Sequence, residues 1–224
     1  PSLEGSVPII VKINGKTSLP SEENALSTHT SFVEDAVRIG AAGIGYTMYY
    51  GTPAQDRDLP QLAEVRRECE RYGMPLIIWA YPRGSAVDAK GGKTSSYTLE
   101  SAARLAAEMG ATIIKSNLPA DTPALVENTK VPEYYRKVEK EILAIADVNE
   151  RKYIRAKRVV DAGAGIPILF SGGDSKTDEE VISNAEACVR GGCFGFIIGR
   201  NMWKREKSEA IKVSDTLAAI LEKA

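Results

Sequence analysis

The segment Leu99–Asn117, LESAARLAAEMGATIIKSN, decides the fold class because it predicts one helix and the strand that follows it. Its first part, LESAARLAAEM, places apolar residues at helical spacing. Gly110 follows in the position of a C′ residue, and ATIIKSN is rich in β-favouring residues. The same order recurs along the chain. Strands that alternate with helices in this way are typical of βαβ units, so we predict an α/β fold with a parallel sheet.

Six strand-and-helix units are predicted from this periodicity. The strands are expected at Val7–Ile13, Gly43–Tyr50, Pro75–Tyr81, Thr112–Asn117, Pro167–Gly173 and Phe194–Gly199. The helices are expected at Ser31–Ile39, Leu59–Tyr72, Leu99–Met109, Tyr153–Ala162, Glu179–Arg190 and Ser208–Leu221. Glycines stand where C′ residues would end the helices: Gly40, Gly73, Gly110, Gly163 and Gly191.

A parallel sheet with this order is either an open doubly wound sheet or a (β/α)8 TIM barrel. We favour the barrel, because no G-x-G-x-x-G follows the first strand and polar side chains follow several different strands. A complete barrel needs eight units. We therefore expect about two N-terminal units to be absent from this sequence. Residues 1–224 are interpreted as a single barrel domain.

One stretch, residues 119–149, is longer than a βα loop needs. Within it Glu133–Ala146 (EYYRKVEKEILAIA) predicts an additional amphipathic helix. This helix could cover the barrel mouth, make a contact between subunits, or form a simple surface excursion.

Composition and charge exclude several classes of function. The 224 residues are 43% hydrophobic and 26% charged, with a net charge of −1, so we expect no binding of nucleic acid or of an anionic membrane. No apolar run is long enough to span a bilayer, and the N-terminus does not resemble a signal peptide. Cys69, Cys188 and Cys193 have no disulfide or zinc spacing, which favours the cytoplasm. A single histidine, His29, excludes a multi-histidine metal site.

Lys115 follows a run of apolar, β-favouring residues, where an ammonium group loses hydration and its pKa falls. A lysine of this kind is a nucleophile that can form a Schiff base with a carbonyl substrate. The alternative is a structural lysine with a packed stem and a hydrated head. Lys12, in the run IIVKIN, is a competing nucleophile. We favour Lys115, and if both side chains face inward each charge lowers the pKa of the other.

Tyr81 and Arg83 are candidates on the preceding strand. Side chains alternate between the two faces of a strand, so Trp79 and Tyr81 share a face. A phenol at the end of this strand would lie at the barrel mouth beside Lys115 and could transfer a proton to or from a substrate hydroxyl. The alternative for Tyr81 is a core aromatic with its hydroxyl at the hydrated end. Arg83 suits a phosphate or a carboxylate.

The last two predicted strands both end in glycine. Ser171, Gly172 and Gly173 follow PILF, and Gly199 and Arg200 follow GFII. Backbone N–H groups at such turns can approach an oxyanion closely, and barrels often bind phosphate after strands seven and eight. Together with the lysine and the phenol, this pattern predicts an enzyme that forms an iminium with a phosphorylated ketone or aldehyde, and that needs no metal or cofactor.

Four motifs carry a resemblance to a known family. They are WAYPRG (79–84), GATIIKSN (110–117), SGGDSKTDEE (171–180) and GFIIGRNMW (195–203). The chain resembles archaeal-type class I fructose-1,6-bisphosphate aldolases, within the Schiff-base barrels related to deoxyribose-phosphate aldolase. VKINGKTSLP (11–20) and GIGYTMYYG (43–51) are also similar to strands of that family.

The resemblance implies reversible cleavage of fructose 1,6-bisphosphate to dihydroxyacetone phosphate and glyceraldehyde 3-phosphate, in glycolysis or gluconeogenesis, by a homo-oligomer. It implies that Lys115 is the Schiff-base lysine and Tyr81 the proton donor and acceptor. It also implies substrate contacts at Trp79, Arg83, Ser116 and Asn117, and phosphate contacts at Ser171, Gly172, Gly173, Gly199 and Arg200. The aspartate that the family uses on its first strand has no match here.

Three alternatives remain open. Related Schiff-base barrels resemble a transaldol-type amino-dideoxy-heptulosonate synthase, or a thiolase that acts on a phosphorylated diketone. The third alternative is a barrel that binds sugar phosphates without catalysis.

Overall fold

The structure, a computed structural model, describes residues 7–19, 21–172 and 177–223. Within these ranges the strands are β1 (Ile10–Lys12), β2 (Asn14–Gly15), β3 (Thr28–His29), β4 (Gly43–Tyr50), β5 (Leu76–Pro82), β6 (Ile113–Asn117), β7 (Ile168–Ser171) and β8 (Gly195–Ile197). The α-helices are α1 (Val33–Arg38), α2 (Gln55–Tyr72), α3 (Ser85–Asp88), α4 (Ser96–Glu108), α5 (Glu133–Leu143), α6 (Val148–Ala162), α7 (Asp178–Arg190), α8 (Arg200–Trp203) and α9 (Lys207–Leu221). Short 3-10 helices occur at Glu22–Asn24 and Pro123–Leu125.

Six parallel strands form one sheet in the order β1-β4-β5-β6-β7-β8. Every pair of neighbours is parallel, and helices connect successive strands as βαβ units require. In the described part of the chain β1 and β8 do not pair, so the sheet is a curled half-barrel. This confirms the predicted barrel class and the six units. A two-stranded antiparallel pair, β2 and β3, was not predicted.

The two faces of the sheet have different environments. One face packs against the helices and forms the core, with Tyr46, Ile78, Ile114 and Phe170 fully or almost fully buried. Small residues on α4 (Ala102, Ala103 and Ala106) are buried against this face. The alternate residues of each strand face the interior of the half-barrel, where Trp79, Lys115 and Asn117 are only partly buried.

Two of the five glycines predicted as C′ residues have another role. A left-handed backbone occurs as expected at Gly40, Gly73 and Gly110. Gly163 and Gly191 instead keep right-handed φ angles of −67° and −73°. At Gly191 a Cβ would lie 2.9 Å from Cβ of Ala156, so glycine is needed there because α6 and the end of α7 pack closely. Their assignment as left-handed C′ residues was wrong.

The predicted additional helix is α5, which ends at Leu143 rather than at Ala146. A buried charge network fixes it against the outer helices. Arg155 donates from Nη1 to Glu139 Oε2 at 2.6 Å and to Ser96 Oγ at 3.0 Å, and its Nη2 lies 3.2 Å from Asp121 Oδ1. The side chains of Arg155 and Glu139 are each 1% exposed. The excursion is therefore an integral part of the outer layer, packed against α4 and α6.

Asp58 joins the start of α2 to the end of β4. This carboxylate is fully buried, and it accepts hydrogen bonds from the Tyr46 hydroxyl at 2.6 Å and from the Tyr49 N–H at 2.9 Å. Burial raises the pKa of Asp58, and the two hydrogen bonds partly oppose that rise. Gln61 Nε2 donates to the Tyr46 oxygen at 2.7 Å. The network fixes the end of β4, which carries residues that face the barrel mouth.

Within the described residues no helix is long and apolar enough to cross a membrane. Nor does any group of three or more His, Cys, Asp or Glu side chains there form an arrangement that could hold a metal ion.

We predict that Tyr46→Phe lowers the free energy of unfolding by about 1 to 3 kcal/mol, because it leaves a buried carboxylate oxygen without its donor. Urea denaturation followed by circular dichroism measures this change. Tyr72→Phe is the control, because Tyr72 lies at the exposed end of α2. Loss of its hydroxyl should lower the free energy of unfolding by about 0.5 kcal/mol or less. Equal effects of the two substitutions would contradict the prediction.

Candidate active site

Register across the sheet arranges the interior side chains in layers. Thr47, Trp79, Lys115 and Leu169 are successive partners on β4 to β7 and share one layer. One layer nearer the N-terminal ends of the strands are Lys12, Gly45, Ile77 and Ile113. One layer nearer the carboxyl ends, at the mouth, are Tyr49, Tyr81, Asn117, Ser171 and Ile197. The predicted lysine is thus one layer below the mouth, where parallel barrels place catalytic groups.

Lys115 lies between two aromatic rings. Its Nζ is 5.3 Å from the centroid of the Trp79 ring and 5.7 Å from that of Tyr81. Burial, and to a lesser extent the positive charge of Lys12, lowers the pKa of Lys115 to about 8. The amine is therefore neutral in a useful fraction of molecules near physiological pH, which is the state that attacks a carbonyl.

Trp79 can take its position because β4 has a glycine opposite it. A Cβ at Gly45 would overlap the six-membered ring of Trp79, so the indole lies directly on the β4 backbone. Lys12 lies beside the same glycine in the register, with its Cα 3.4 Å from where a Gly45 Cβ would be. The indole thus lies on the β4 backbone in the interior, beside Lys115.

Lys12, the competing nucleophile, is on the edge strand β1. Its side chain is exposed, although partial burial still lowers its pKa. Lys115 is more buried and the fall in its pKa is large enough to give a value of about 8. The geometry therefore favours Lys115 as the nucleophile and Lys12 as the neighbour that assists it electrostatically.

Tyr81, Ser171 and Asn117 lie together at the mouth. The hydroxyl of Ser171 donates to Asn117 Oδ1. Burial raises the pKa of Tyr81, while the Ser171 side chain and the charges of Arg83 and Arg200 oppose that rise. The phenol is thus protonated at neutral pH and lies beside Ser171 on β7.

Arg83 follows β5 and covers this aromatic group. Its guanidinium carbon lies 5.4 Å from the Tyr81 centroid and 5.9 Å from the Tyr49 centroid. Nε is 3.1 Å from Glu22 Oε1, and Nη1 donates to the carbonyl of Pro82 at 2.7 Å. Arg83 therefore lies where it could bind an anion above Tyr81.

The ends of β7 and β8 are joined by Asn201, whose Nδ2 donates to the Gly172 carbonyl at 3.0 Å. A Cβ at Gly172 would lie 2.9 Å from that nitrogen, and a Cβ at Gly199 would overlap the Trp203 ring. A side chain at either turn would therefore force Asn201 or Trp203 to shift. The predicted site residue Gly173 lies outside the described residues.

A cavity of about 710 Å³ opens over these strand ends. Its lining includes Arg83, Asn117, Ser171, Gly172 and Arg200, all predicted from the sequence. Lys115 is not among the lining residues and lies one layer deeper, beneath the Tyr81 layer. A cavity of this size suits a small metabolite.

Ser116 does not lie with the other predicted site residues at the barrel mouth. Its neighbour in the register is Phe170 on the core face, and the side chain is completely buried. Conversely, Glu22, Tyr49 and Lys93 lie at the mouth and were missed by the sequence analysis. Glu22 and Lys93 are on loops with no periodic signal, but the parity of β4 could have identified Tyr49.

Comparisons with known proteins agree with this geometry. A family model described as DeoC/LacD family aldolase matches residues 2–205. The class 1 fructose-bisphosphate aldolase of Thermoproteus tenax is 32% identical over 219 residues, which are 97% of this chain and 69% of that protein. A crystal structure of an archaeal fructose 1,6-bisphosphate aldolase is 30% identical with a TM-score of 0.77, and the match covers 98% of this chain and 73% of that one.

A second archaeal fructose-1,6-bisphosphate aldolase structure has its catalytic lysine covalently bound to the carbinolamine intermediate of the substrate. It is 29% identical with a TM-score of 0.76, and the match covers 97% of this chain and 72% of that one. The chain spans about two thirds of the length of the curated relatives that it matches. The resemblance seen in the motifs is confirmed, and the match of the family model to most of the sequence means that the chain belongs to the DeoC/LacD family of aldolases.

Proposed function

We propose that the chain acts as a class I aldolase that cleaves fructose 1,6-bisphosphate reversibly to dihydroxyacetone phosphate and glyceraldehyde 3-phosphate. The observation that carries the proposal is Lys115, buried against Trp79 and Tyr81 with its pKa lowered to about 8. The names of the most similar proteins support the same substrate.

Lys115 supplies the covalent chemistry. Its neutral amine attacks the C2 carbonyl of the open-chain sugar to give a carbinolamine, and loss of water gives an iminium. The iminium draws electrons from the C3–C4 bond when that bond breaks, which leaves an enamine on the lysine. Protonation of the enamine at C3 and addition of water then release dihydroxyacetone phosphate and the free amine.

Tyr81 moves the protons. Because burial raises its pKa, the phenol begins the cycle protonated and can give its proton to the departing hydroxyl of the carbinolamine. The phenolate that remains accepts the proton of the C4 hydroxyl as C3–C4 breaks. Ser171 lies beside Tyr81 at the mouth and is proposed to help position the phenol for both transfers.

The polar groups of the cavity bind the substrate. Ser171, Gly172, Gly173, Gly199 and Arg200 are proposed to bind one phosphate at the ends of β7 and β8, and Arg83 and Asn117 to contact the sugar. Trp79 shapes the interior beside the reacting carbon. Ser116 contributes by packing behind β6, since its side chain faces the core.

Three further features belong to the proposal. Residues 1–224 act as one barrel domain, together with any units that complete the barrel. The free thiols of Cys69, Cys188 and Cys193 fit a cytoplasmic location. Assembly as a homo-oligomer is proposed from the resemblance to the family.

We expect the chain to convert fructose 1,6-bisphosphate to triose phosphates, and Lys115→Met to lower this rate by about 10³-fold or more because the nucleophile is lost. A coupled assay for both triose phosphates measures the rate. Lys137→Met removes an exposed lysine on α5 and should leave it unchanged. Cleavage at the native rate by Lys115→Met would contradict the mechanism, and a native chain that forms an adduct without cleavage would favour the transaldol-type or thiolase alternatives.

The pH dependence of kcat/KM should follow the protonation of the Lys115 amine. Because the neutral form of Lys115 attacks, kcat/KM should rise with pH with a midpoint of about 8. Lys12→Met removes a positive charge that disfavours the protonated amine, so the pKa of Lys115 and the midpoint should both increase. Burial remains the larger cause, so the midpoint stays below the ordinary lysine value. Profiles of kcat/KM for Lys12→Met and for the control Lys137→Met, between about pH 6 and about pH 10, test this prediction. An unchanged or lower midpoint in Lys12→Met would overturn it.

A further inference from the structure

The segment that follows β6, residues 118–122, is held by side chains of the outer helices. It begins where the strand that carries Lys115 ends, and most of it lines the cavity: Leu118, Pro119, Ala120 and Asp121. The Thr122 N–H donates to Glu139 Oε1 on α5 at 2.8 Å. On α6, Arg155 Nη2 lies 3.2 Å from Asp121 Oδ1. The 118–122 segment therefore connects the barrel mouth to α5 and α6.

Glu139 and Arg155 form an ion pair that is closed to solvent. Both carboxylate oxygens of Glu139 accept hydrogen bonds from the Arg155 guanidinium, at 2.6 Å and 2.8 Å. Each of the two side chains is 1% exposed. Arg155 also donates to Ser96 Oγ on α4 at 3.0 Å. The pair thus joins α4, α5 and α6 at the point where the 118–122 segment contacts them.

Further contacts hold the middle of the same segment. Asp121 Oδ2 lies 2.8 Å from Arg151 Nη2, and the Ala120 N–H donates to the Thr94 carbonyl at 2.9 Å. Burial alone would raise the pKa of Asp121, but the hydrogen bonds and charges of Arg151 and Arg155 lower it, so the carboxylate stays charged. Three consecutive residues of the cavity wall are therefore each fixed to a different part of the chain.

Stability alone does not explain why an ion pair is buried here. Removal of two charges from water is costly, and apolar side chains in the same place often give a protein that is equally stable or more stable. The pair does what apolar side chains cannot do, because Glu139 accepts the Thr122 N–H and Arg155 donates to Asp121. These directional contacts determine where the 118–122 segment lies.

We propose that Glu139 and Arg155 are positioning residues of the active site, which hold the 118–122 segment as a wall of the cavity and so keep Asn117 in place to contact the sugar. The inference rests on the proposed function, in which Asn117 makes that contact. It gives the additional helix α5 a role in substrate binding, although no described residue of α5 lines the cavity.

A neighbouring ion pair provides a matched control. Glu100 on α4 and Arg158 on α6 share two hydrogen bonds of 2.8 Å, and their side chains are 7% and 18% exposed. Among the described residues that line the cavity, neither is present. This pair therefore resembles the Glu139–Arg155 pair in burial and geometry, but it has no contact with the cavity wall.

The test replaces both members of each pair by methionine. The variant Glu139→Met/Arg155→Met should still fold, because it leaves no unpaired charge in the buried space. Glu100→Met/Arg158→Met makes the same change in the control pair. Urea denaturation measures the stability of both variants, and a coupled assay for triose phosphates gives kcat and KM for fructose 1,6-bisphosphate across the pH range.

We expect Glu139→Met/Arg155→Met to raise KM by about tenfold, with a smaller change in kcat, because Asn117 and the cavity wall lose their position. The midpoint of kcat/KM against pH should stay at about 8, since burial and the charge of Lys12 set the pKa of Lys115. Glu100→Met/Arg158→Met should keep the native KM.

A native KM in Glu139→Met/Arg155→Met overturns the inference, and so does an equal rise of KM in the control variant. If Glu139→Met/Arg155→Met does not fold, Glu139→Gln and Glu100→Gln decide, because each removes one charge and keeps an acceptor oxygen. KM should then rise in Glu139→Gln alone, and equal KM values in these two variants overturn the inference.

Trapping of dihydroxyacetone phosphate with borohydride separates failure of this inference from failure of the proposed function. If an adduct forms on the native chain while Glu139→Met/Arg155→Met keeps the native KM, only the positioning role of Glu139 and Arg155 fails. If no adduct forms on the native chain, the Schiff-base function fails and the inference fails with it.

Discussion

The burial of one ammonium group is the constraint on which the rest of this structure depends. Lys115 is held inside a curled parallel sheet, with the Trp79 ring on one side and the Tyr81 ring on another. An ordinary surface lysine keeps its proton at neutral pH, whereas here burial and the charge of Lys12 bring the pKa to about 8. The arrangement needs Gly45, because any side chain there would overlap the Trp79 ring. A missing side chain on one strand thus allows the Trp79 ring to lie beside the lysine.

Polar side chains lie at the mouth of the half-barrel, one layer above Lys115. The fully buried Asp58 carboxylate fixes the end of β4 through the Tyr49 N–H, and the Ser171 hydroxyl on β7 donates to Asn117 on β6. Because each strand contributes one interior residue per layer, the groups that line the mouth come from segments far apart in sequence. Segments outside the sheet then supply the charged groups of the cavity, which include Arg83, Lys93 and Arg200. The proposed nucleophile therefore lies one layer deeper than the cationic groups that line the cavity.

Short sequence patterns were sufficient to predict the main strands and helices and the residues that share a face of a strand. Strand parity predicted that Trp79 and Tyr81 share a face, and helical periodicity predicted the six units with errors of up to about five residues at their ends. Ser116 shows the limit of the resemblance, which implied a substrate contact, since its side chain faces the core. The features that the sequence did not predict depend on tertiary packing. Gly191 allows a close contact between helices rather than a left-handed turn. Glu22 contacts Arg83 only because a segment distant in sequence docks on α3. No periodicity in the chain encodes such contacts between loops.

The most direct test of the central claim is to locate the covalent adduct. The native chain is treated with dihydroxyacetone phosphate and borohydride, digested, and the modified lysine is identified by tandem mass spectrometry. Our account predicts that the adduct lies on Lys115, because its amine is the one whose pKa burial brings to about 8. An adduct on Lys12 would contradict the assignment of the nucleophile, and the absence of an adduct on any lysine would contradict the Schiff-base mechanism itself.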